Sequence, residues 1–229
     1  MASAPQVFHI ILTGRSLEKT KSATAVIETA VGAKGRLTAL HLDVTDLNSI
    51  QQAAAAVEKD FGRLDVLINN AAIACCVEND LQKRLWSGMA TNVIGPALVS
   101  DAFRPLLLKS PHPYSIHVSS GAGSITRSTD GTSQMYSDPI PNGETYGITK
   151  AALNRLAMHE AMSYRSIKTF AMSPGFVVSN LRCWSDEAKT GWGKAGDPMV
   201  SGETLLSIVQ GKRDGERYQL VHKDGVYPW

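Results

Sequence analysis

Tyr146 and Lys150 stand four residues apart in the segment Tyr146-Gly-Ile-Thr-Lys150. On a helix that spacing puts both side chains on one face, one turn apart. A phenol left to itself has a pKa of roughly 10. A neighbouring ammonium favours the phenolate and lowers that value. A tyrosine tuned in this way can pass a proton to or from a substrate oxygen near neutral pH. The pair alone is weak evidence, since chance supplies many such spacings. Upstream, Ser119-Ser120 close a run of buried-strand character, where a serine hydroxyl can hydrogen-bond a carbonyl and the charge that develops on it. Asn69-Asn70-Ala71-Ala72 close another such run, and Asn92 lies further on in a helical stretch. Asparagine inside a helix is neutral or unfavourable, so Asn92 either has a task or marks a hydrogen-bonded kink beside Gly95-Pro96.

These residues need a scaffold. Val7–Leu12, Leu37–Leu42, Leu64–Asn69, Tyr114–Ser119 and Ser166–Met172 read as buried strands, with a last short one near Tyr218–His222. Between them the sequence predicts helices over Leu17–Val31, Leu47–Phe61, Leu81–Leu108 (interrupted near Gly95-Pro96) and Tyr146–Tyr164, with a short one near Glu203–Gln210. Ser16 and Asp46 are placed to cap the first two helices, and Gly62 to stop the second. Strands alternating with helices predict one α/β domain over the whole chain: a doubly wound parallel sheet in three layers, Rossmann-like. Ligands of such sheets bind at the carboxyl ends of the strands. That rule selects Thr13-Gly14-Arg15, Asp43-Val44, Asn69 to Ala72, Ser119-Ser120 and Pro174-Gly175. Residues 124–144 read as an inserted loop, in which Met135, Tyr136 and Ile140 either line an apolar pocket or pack the loop down. Residues 177–202 form an irregular segment facing the substrate.

Composition excludes several function classes. The chain has 229 residues, a net charge of +2, and apolar and charged fractions of 43% and 19%, an ordinary globular balance. A charge so small gives no case for nucleic acid or an anionic membrane. Cys75, Cys76 and Cys183 cannot all pair and lack metal-site spacing, so a reducing compartment is expected. The apolar run near the N-terminus is too short for a membrane span or a signal-peptide core. A cytoplasmic protein with a small-molecule substrate is the expectation.

Taken in order, Asp43-Val44, Asn69 to Ala72, Asn92, Ser120, the Tyr146/Lys150 pair and Ser173-Pro174-Gly175 resemble the short-chain dehydrogenase/reductase family from about residue 7 onward. The resemblance implies that Tyr146 is the catalytic acid/base. It implies that Lys150 lowers the phenol's pKa and holds the nicotinamide ribose, that Ser120 orients the substrate oxygen, and that Asn92 supports a water relaying protons to Lys150. Asp43 and Val44 would border the adenine, with Asn70 beside the adenosine and ribose. Val177 and Ser179 would meet the nicotinamide amide. Arg15, just past Thr13 at a strand end, would pair with a 2′-phosphate, assisted by Lys19, which favours NADP(H). The activity implied is hydride exchange with a carbonyl or secondary alcohol of medium size and apolar character. A homo-oligomer through the 81–108 and 146–164 helices is in keeping with the family. Two alternatives stay open: an impaired homologue serving as a binding or scaffold subunit in a biosynthetic pathway, and a redox-neutral relative such as an isomerase.

Two departures qualify the resemblance. Tyr146 lies about twice as far from Ser120 as the family pattern has it, which creates the loop at 124–144. The family's glycine-rich fingerprint after its first strand has no match: after Gly14 no glycine follows until Gly32. Between Gly14 and Asp43 there is room for one helix and one strand only. Val7–Leu12 therefore corresponds to the family's second strand, and the domain reads as N-terminally truncated, without the first βα unit: a truncated product, a rearranged sheet with the N-terminal strand in the vacant place, or a chain completed by a partner. The expected consequence is unpaired backbone on both neighbouring strands and no pyrophosphate cradle.

Overall fold

Two parallel β-ribbons of different size carry the chain's alternating strands. A computed structural model of the protein describes residues 8–31, 36–74, 78–131, 143–182 and 185–229. Strand β1 (Ile10–Gly14) pairs in parallel with β2 (Leu37–His41), Ile10 opposite Leu37 and Gly14 opposite His41. Strands β3 (Val66–Asn69), β4 (Tyr114–Val118), β5 (Lys168–Met172) and β6 (Leu220–His222) follow one another in parallel, and β7 (Gly225–Tyr227) turns back antiparallel to β6. β1 and β3 have no strand partner on their second side among the described residues. The single sheet read from the sequence is thus divided in two, at the place where the missing central strand was expected.

The helices bridge this division. Helix α1 (Leu17–Val31) covers β1 and β2. Helix α2 (Leu47–Phe61) starts where Asp46 accepts the Asn48 N–H and stops at Gly62, whose φ of 72° is left-handed, as the cap residues predict. After α3 (Leu81–Met89) the long helical stretch loosens into a π-turn over Ala90–Ile94 and resumes as α4 (Gly95–Leu107). The predicted interruption near Gly95-Pro96 is that π-turn. One apolar cluster joins Leu42, Ile50, Ala53, Val57, Leu67, Val99, Phe103, Leu106 and Leu107, with Ile11 and Leu40 packed against it. It draws on both sheets through α2 and α4.

Alternation along β5 builds the layers. Phe170 and Met172 join Ile116, Ile208 and Val221 on one face, beneath α7 (Met199–Val209). Ala171 packs instead with Ala157 of α6 (Gly143–Ser163) and Leu220 on the other. The 121–144 region is not all loop: a 3-10 turn (Gly121–Gly123) and the short helix α5 (Ile125–Thr129) open it. Met135, Tyr136, Ile140 and the three cysteines lie outside the described residues. Sequence reading also stops short of β7. The hairpin turn Lys223-Asp224-Gly225, with Gly225 at φ 140°, carries an Asp-Gly signal that could have revealed it.

Candidate active site

Strand β4 and helix α6 bring the serines, the tyrosine and the lysine together. Beyond Val118 the chain leaves the sheet through Ser119 and Ser120. Ser119 is buried and spent on packing: its hydroxyl donates to Asn154 Oδ1 at 2.5 Å and lies 3.3 Å from the Lys150 carbonyl. Ser120 is extended, accepts the Ala122 N–H at 3.1 Å, and stands within hydrogen-bonding reach of the Tyr146 phenol. Gly123 lies directly on α6. A Cβ there would sit 2.5 Å from the Lys150 carbonyl carbon and 2.7 Å from the Ala151 nitrogen. Only glycine lets the serine turn approach the helix this closely.

Lys150 is 1% exposed. Its ammonium donates to the Val118 carbonyl at 2.7 Å and lies 5.5 Å from the centre of the Tyr146 ring. Burial pushes the lysine down to about 8. It also pushes the Tyr146 phenol up to about 12, while Ser120 and the charge of Arg182 work the other way. The expected lowering of the phenol by Lys150 is therefore not the dominant effect. In a dry pocket both groups favour their neutral forms. At pH 7 Tyr146 is an un-ionised acid and Lys150 a cation.

The π-turn explains Asn92, which is fully buried. Its Oδ1 accepts the Ile73 N–H at 2.9 Å, and its Nδ2 donates to the Ile73 carbonyl at 2.8 Å and to Thr149 Oγ1 at 2.9 Å. Thr149 in turn donates to the Tyr146 carbonyl. Asn92 thus fastens the segment after β3 to the helix that carries Tyr146 and Lys150. Arg84 is a second fastening that sequence reading missed. Buried on α3, it reaches Glu144 in the first turn of α6 at 2.6 Å and the carbonyls of Glu78 and Asn79. The partners lie too far apart in sequence for any local pattern to join them.

The residues read as adenine contacts gather at the ends of β1 and β2. Two hydrogen bonds from Thr45 hold the Asp43 carboxyl below its ordinary value, and the nearby Arg15 guanidinium adds to this. Arg15 and Asp43 are thus neighbours. Val44 lies under α4, where a Cβ on Gly95 would meet the Val44 carbonyl oxygen at 2.8 Å. Thr13 and Asn70 are exposed at the strand ends, and Lys19 in the first turn of α1.

Past β5, Ser173 Oγ accepts the Gly121 N–H at 3.0 Å and Gly175 turns at φ 83°. Val177 bridges to Gly196, and the Ser179 N–H bonds the Lys189 carbonyl. Ser173 is thereby tied to the serine turn, and the Val177 and Ser179 region to residues 189 and 196. Among the described residues no three His, Cys, Asp or Glu side chains gather as for a metal, and no helix is long and apolar enough to cross a membrane.

Lys150 also tests whether a nicotinamide nucleotide suits the site. Of its three N–H donors one meets the Val118 carbonyl, which leaves two for a diol such as a ribose. That half of the site fits. Among the described residues no glycine-rich turn stands ready for a pyrophosphate.

Comparison with known proteins identifies the family. The family model for short chain dehydrogenases matches residues 2–189. A short-chain dehydrogenase/reductase of Talaromyces stipitatus, tropE, is 30% identical over 236 residues, spanning 96% of this chain and 87% of its own. Another from a Phoma species, eupG, is 30% identical, spanning 98% of this chain and 89% of its own. Among solved structures, the NADPH-bound carbonyl reductase from chicken fatty liver superposes with a TM-score of 0.76 at 25% identity, covering 98% of this chain and 100% of that one. The carbonyl reductase Sniffer of D. melanogaster gives 0.73 at 23% identity, covering 99% and 90%, a likeness of fold.

Proposed function

The chain belongs to the short-chain dehydrogenase family, and on that premise we propose that it is an NADP(H)-dependent oxidoreductase that reduces a carbonyl, or oxidises the matching secondary alcohol, on a medium-sized apolar substrate. The observation that carries this is the un-ionised Tyr146 phenol, set between Ser120 and the buried Lys150 ammonium. In the reducing direction Ser120 donates a hydrogen bond to the substrate carbonyl oxygen and holds it against the phenol. Tyr146 gives its proton to that oxygen as negative charge develops there. Lys150 supplies positive charge beneath the phenolate that results and offers its two unclaimed N–H groups to the nicotinamide ribose. Asn92 acts through Thr149 by fixing the helix that bears both. A bound nicotinamide supplies the hydride.

Arg15, with Lys19 beside it, takes the 2′-phosphate. The exposure of Arg15 just past the end of β1 supports this, since an exposed guanidinium there suits a phosphate. Thr13, Asp43, Val44 and Asn70 line the adenosine side, and Val177 and Ser179 meet the nicotinamide amide. A homo-oligomer formed through α4 and α6 would cover Leu108 and Ile148, each about half exposed.

The test is a titration with NADPH followed by nucleotide fluorescence, repeated with Arg15→Ala. Saturable binding that weakens for NADPH more than for NADH in the variant is expected. A carbonyl screen with Tyr146→Phe as the inactive control then identifies the substrate class. A folded protein that binds neither nucleotide would overturn the reading. The divided sheet favours a second reading, that this chain is an impaired or redox-neutral relative. Product formation without any nucleotide would select the redox-neutral relative, and a folded chain without turnover on any substrate the impaired one.

A further inference from the structure

Arg182 ends a 3-10 turn (Asn180–Arg182) in the segment after β5. Its guanidinium is clamped on three sides. Nε donates to the Ala188 carbonyl at 3.0 Å, and Nη2 to the carbonyls of Val177 at 2.6 Å and Lys189 at 3.0 Å. The plane lies 4.3 Å from the centre of the Phe176 ring. These bonds use one donor on Nε and two on Nη2, which leaves both on Nη1. Among the described residues no carboxylate pairs with this cation, and the nearby Asp186 is taken by Lys189 at 2.8 Å. The group is partly withdrawn from water, so its charge carries a desolvation cost that no counter-ion among the described residues offsets. The Tyr146 phenol and this guanidinium lie close enough to feel each other's charge. A pinned guanidinium with an unclaimed edge is matched in geometry and charge to an oxyanion.

We infer that Arg182 is an oxyanion-binding residue beside the Tyr146 phenol, taking a carboxylate or enolate oxygen of the substrate or a phosphate oxygen of the nucleotide. The substrate reading deepens the proposed function and rests on Tyr146 as the proton donor: the molecule reduced would be apolar over most of its surface but carry one anionic oxygen close to its reacting carbonyl. The three carbonyl contacts keep the guanidinium from swinging out to solvent, so the anion would be bound in one orientation relative to the phenol.

Binding of non-reacting probes separates this inference from the enzyme reading, because it needs no turnover. Benzoate, benzamide and inorganic pyrophosphate would be titrated by calorimetry into the whole protein, Arg182→Gln and Arg182→Lys, with circular dichroism confirming that each variant is folded. Loss of a charge-assisted bond weakens binding about tenfold or more. Benzoate is expected to lose that much in Arg182→Gln and only part of it in Arg182→Lys, with benzamide unchanged. A loss seen for pyrophosphate instead assigns the site to the nucleotide. Equal binding of both anions by wild type and a folded Arg182→Gln, or binding of neither to wild type, overturns the inference. Should Arg182→Gln not fold, the Arg182 Nε–H resonance of the wild-type protein decides. A saturable shift with either anion supports the site, and an unmoved signal rejects it.

Discussion

At the scale of single residues the site is governed by burial, and its titration follows from that. Lys150 is held at about 8 against an ordinary value near 10.5. Between these values the unfolded chain binds more protons than the folded one, so stability rises with pH across that window. Tyr146 shifts the other way, to about 12 from 10. Above pH 10 the folded chain holds the proton longer, so its contribution falls as pH rises from 10 to 12. Thermal midpoints followed over pH 7–12 in wild type, Lys150→Met and Tyr146→Phe would show this as differences. Lys150→Met removes the gain above pH 8, and Tyr146→Phe removes the loss above pH 10. A wild-type profile parallel to both variants would contradict the assignment. In the activity assay Tyr146→Phe is expected to lower kcat by about 100-fold or more, the usual worth of a positioned proton donor. KM would change little, since the hydroxyl acts chiefly as charge develops.

Elements succeed or fail by how closely they approach α6. The Gly123 contact is with backbone atoms of Lys150 and Ala151, which cannot swing aside as a side chain can. Gly123→Ala is therefore expected to push the serine turn off the helix. Overpacking of this kind costs about 1–3 kcal/mol, read as a lowered denaturant midpoint with kcat falling alongside. Asn92→Leu removes three hydrogen bonds at once and leaves the part-buried Ile73 N–H and carbonyl without their side-chain partner. Each such group costs about 1–3 kcal/mol, so this variant is expected to be the more destabilised of the two, and equal midpoints would argue against the fastening role. The strands and long helices were legible in the sequence because their apolar periods and caps are local: Asp46 and Gly62 bound α2 as read. The Tyr146/Lys150 pair and the Ser119-Ser120 strand end were legible for the same reason. Arg84–Glu144, Asn92–Ile73 and the Arg182 clamp were not, because each joins segments whose proximity only the folded chain creates. The C-terminal clasp on the serine turn is of the same kind. Arg127 stacks on Tyr227 at 3.9 Å, while Ser124 donates to the Pro228 carbonyl and Thr126 to the Trp229 carbonyl. None of these residues has a neighbour in sequence that announces it.

At the scale of the molecule, the divided sheet sets the order of local stability. β4 and β5 are flanked on both sides and buried on both faces, with Ile116, Phe170 and Met172 almost without exposure. Among the described residues β1 has one strand partner, and half of Ile10 is open to solvent. Among them β3 likewise has β4 alone, with Ile68 substantially exposed. An edge strand leaves a row of backbone N–H and C=O groups to water, and local opening is easiest where buried apolar contacts are few. Amide exchange should therefore divide along the same line. Amides of the β1–β2 pair, such as Leu12 and Ala39, are expected to exchange far faster than those of β4 and β5, such as Ile116 and Ala171. The shared cluster of α2 and α4 ties the two sheets to one core through Leu42, Ile11 and Leu67. Protection in α2 should then stand nearer to that of β4 than to that of β1. If β1–β2 amides were protected as well as β4–β5, the open edges would have to be covered in solution. The Arg15–Asp43 end of the proposed nucleotide site would then rest on a platform as firm as the Tyr146 end. If they exchange fast, nucleotide binding at Arg15 would have to order that platform first, and saturating NADPH should slow β1–β2 exchange while leaving β4–β5 unchanged.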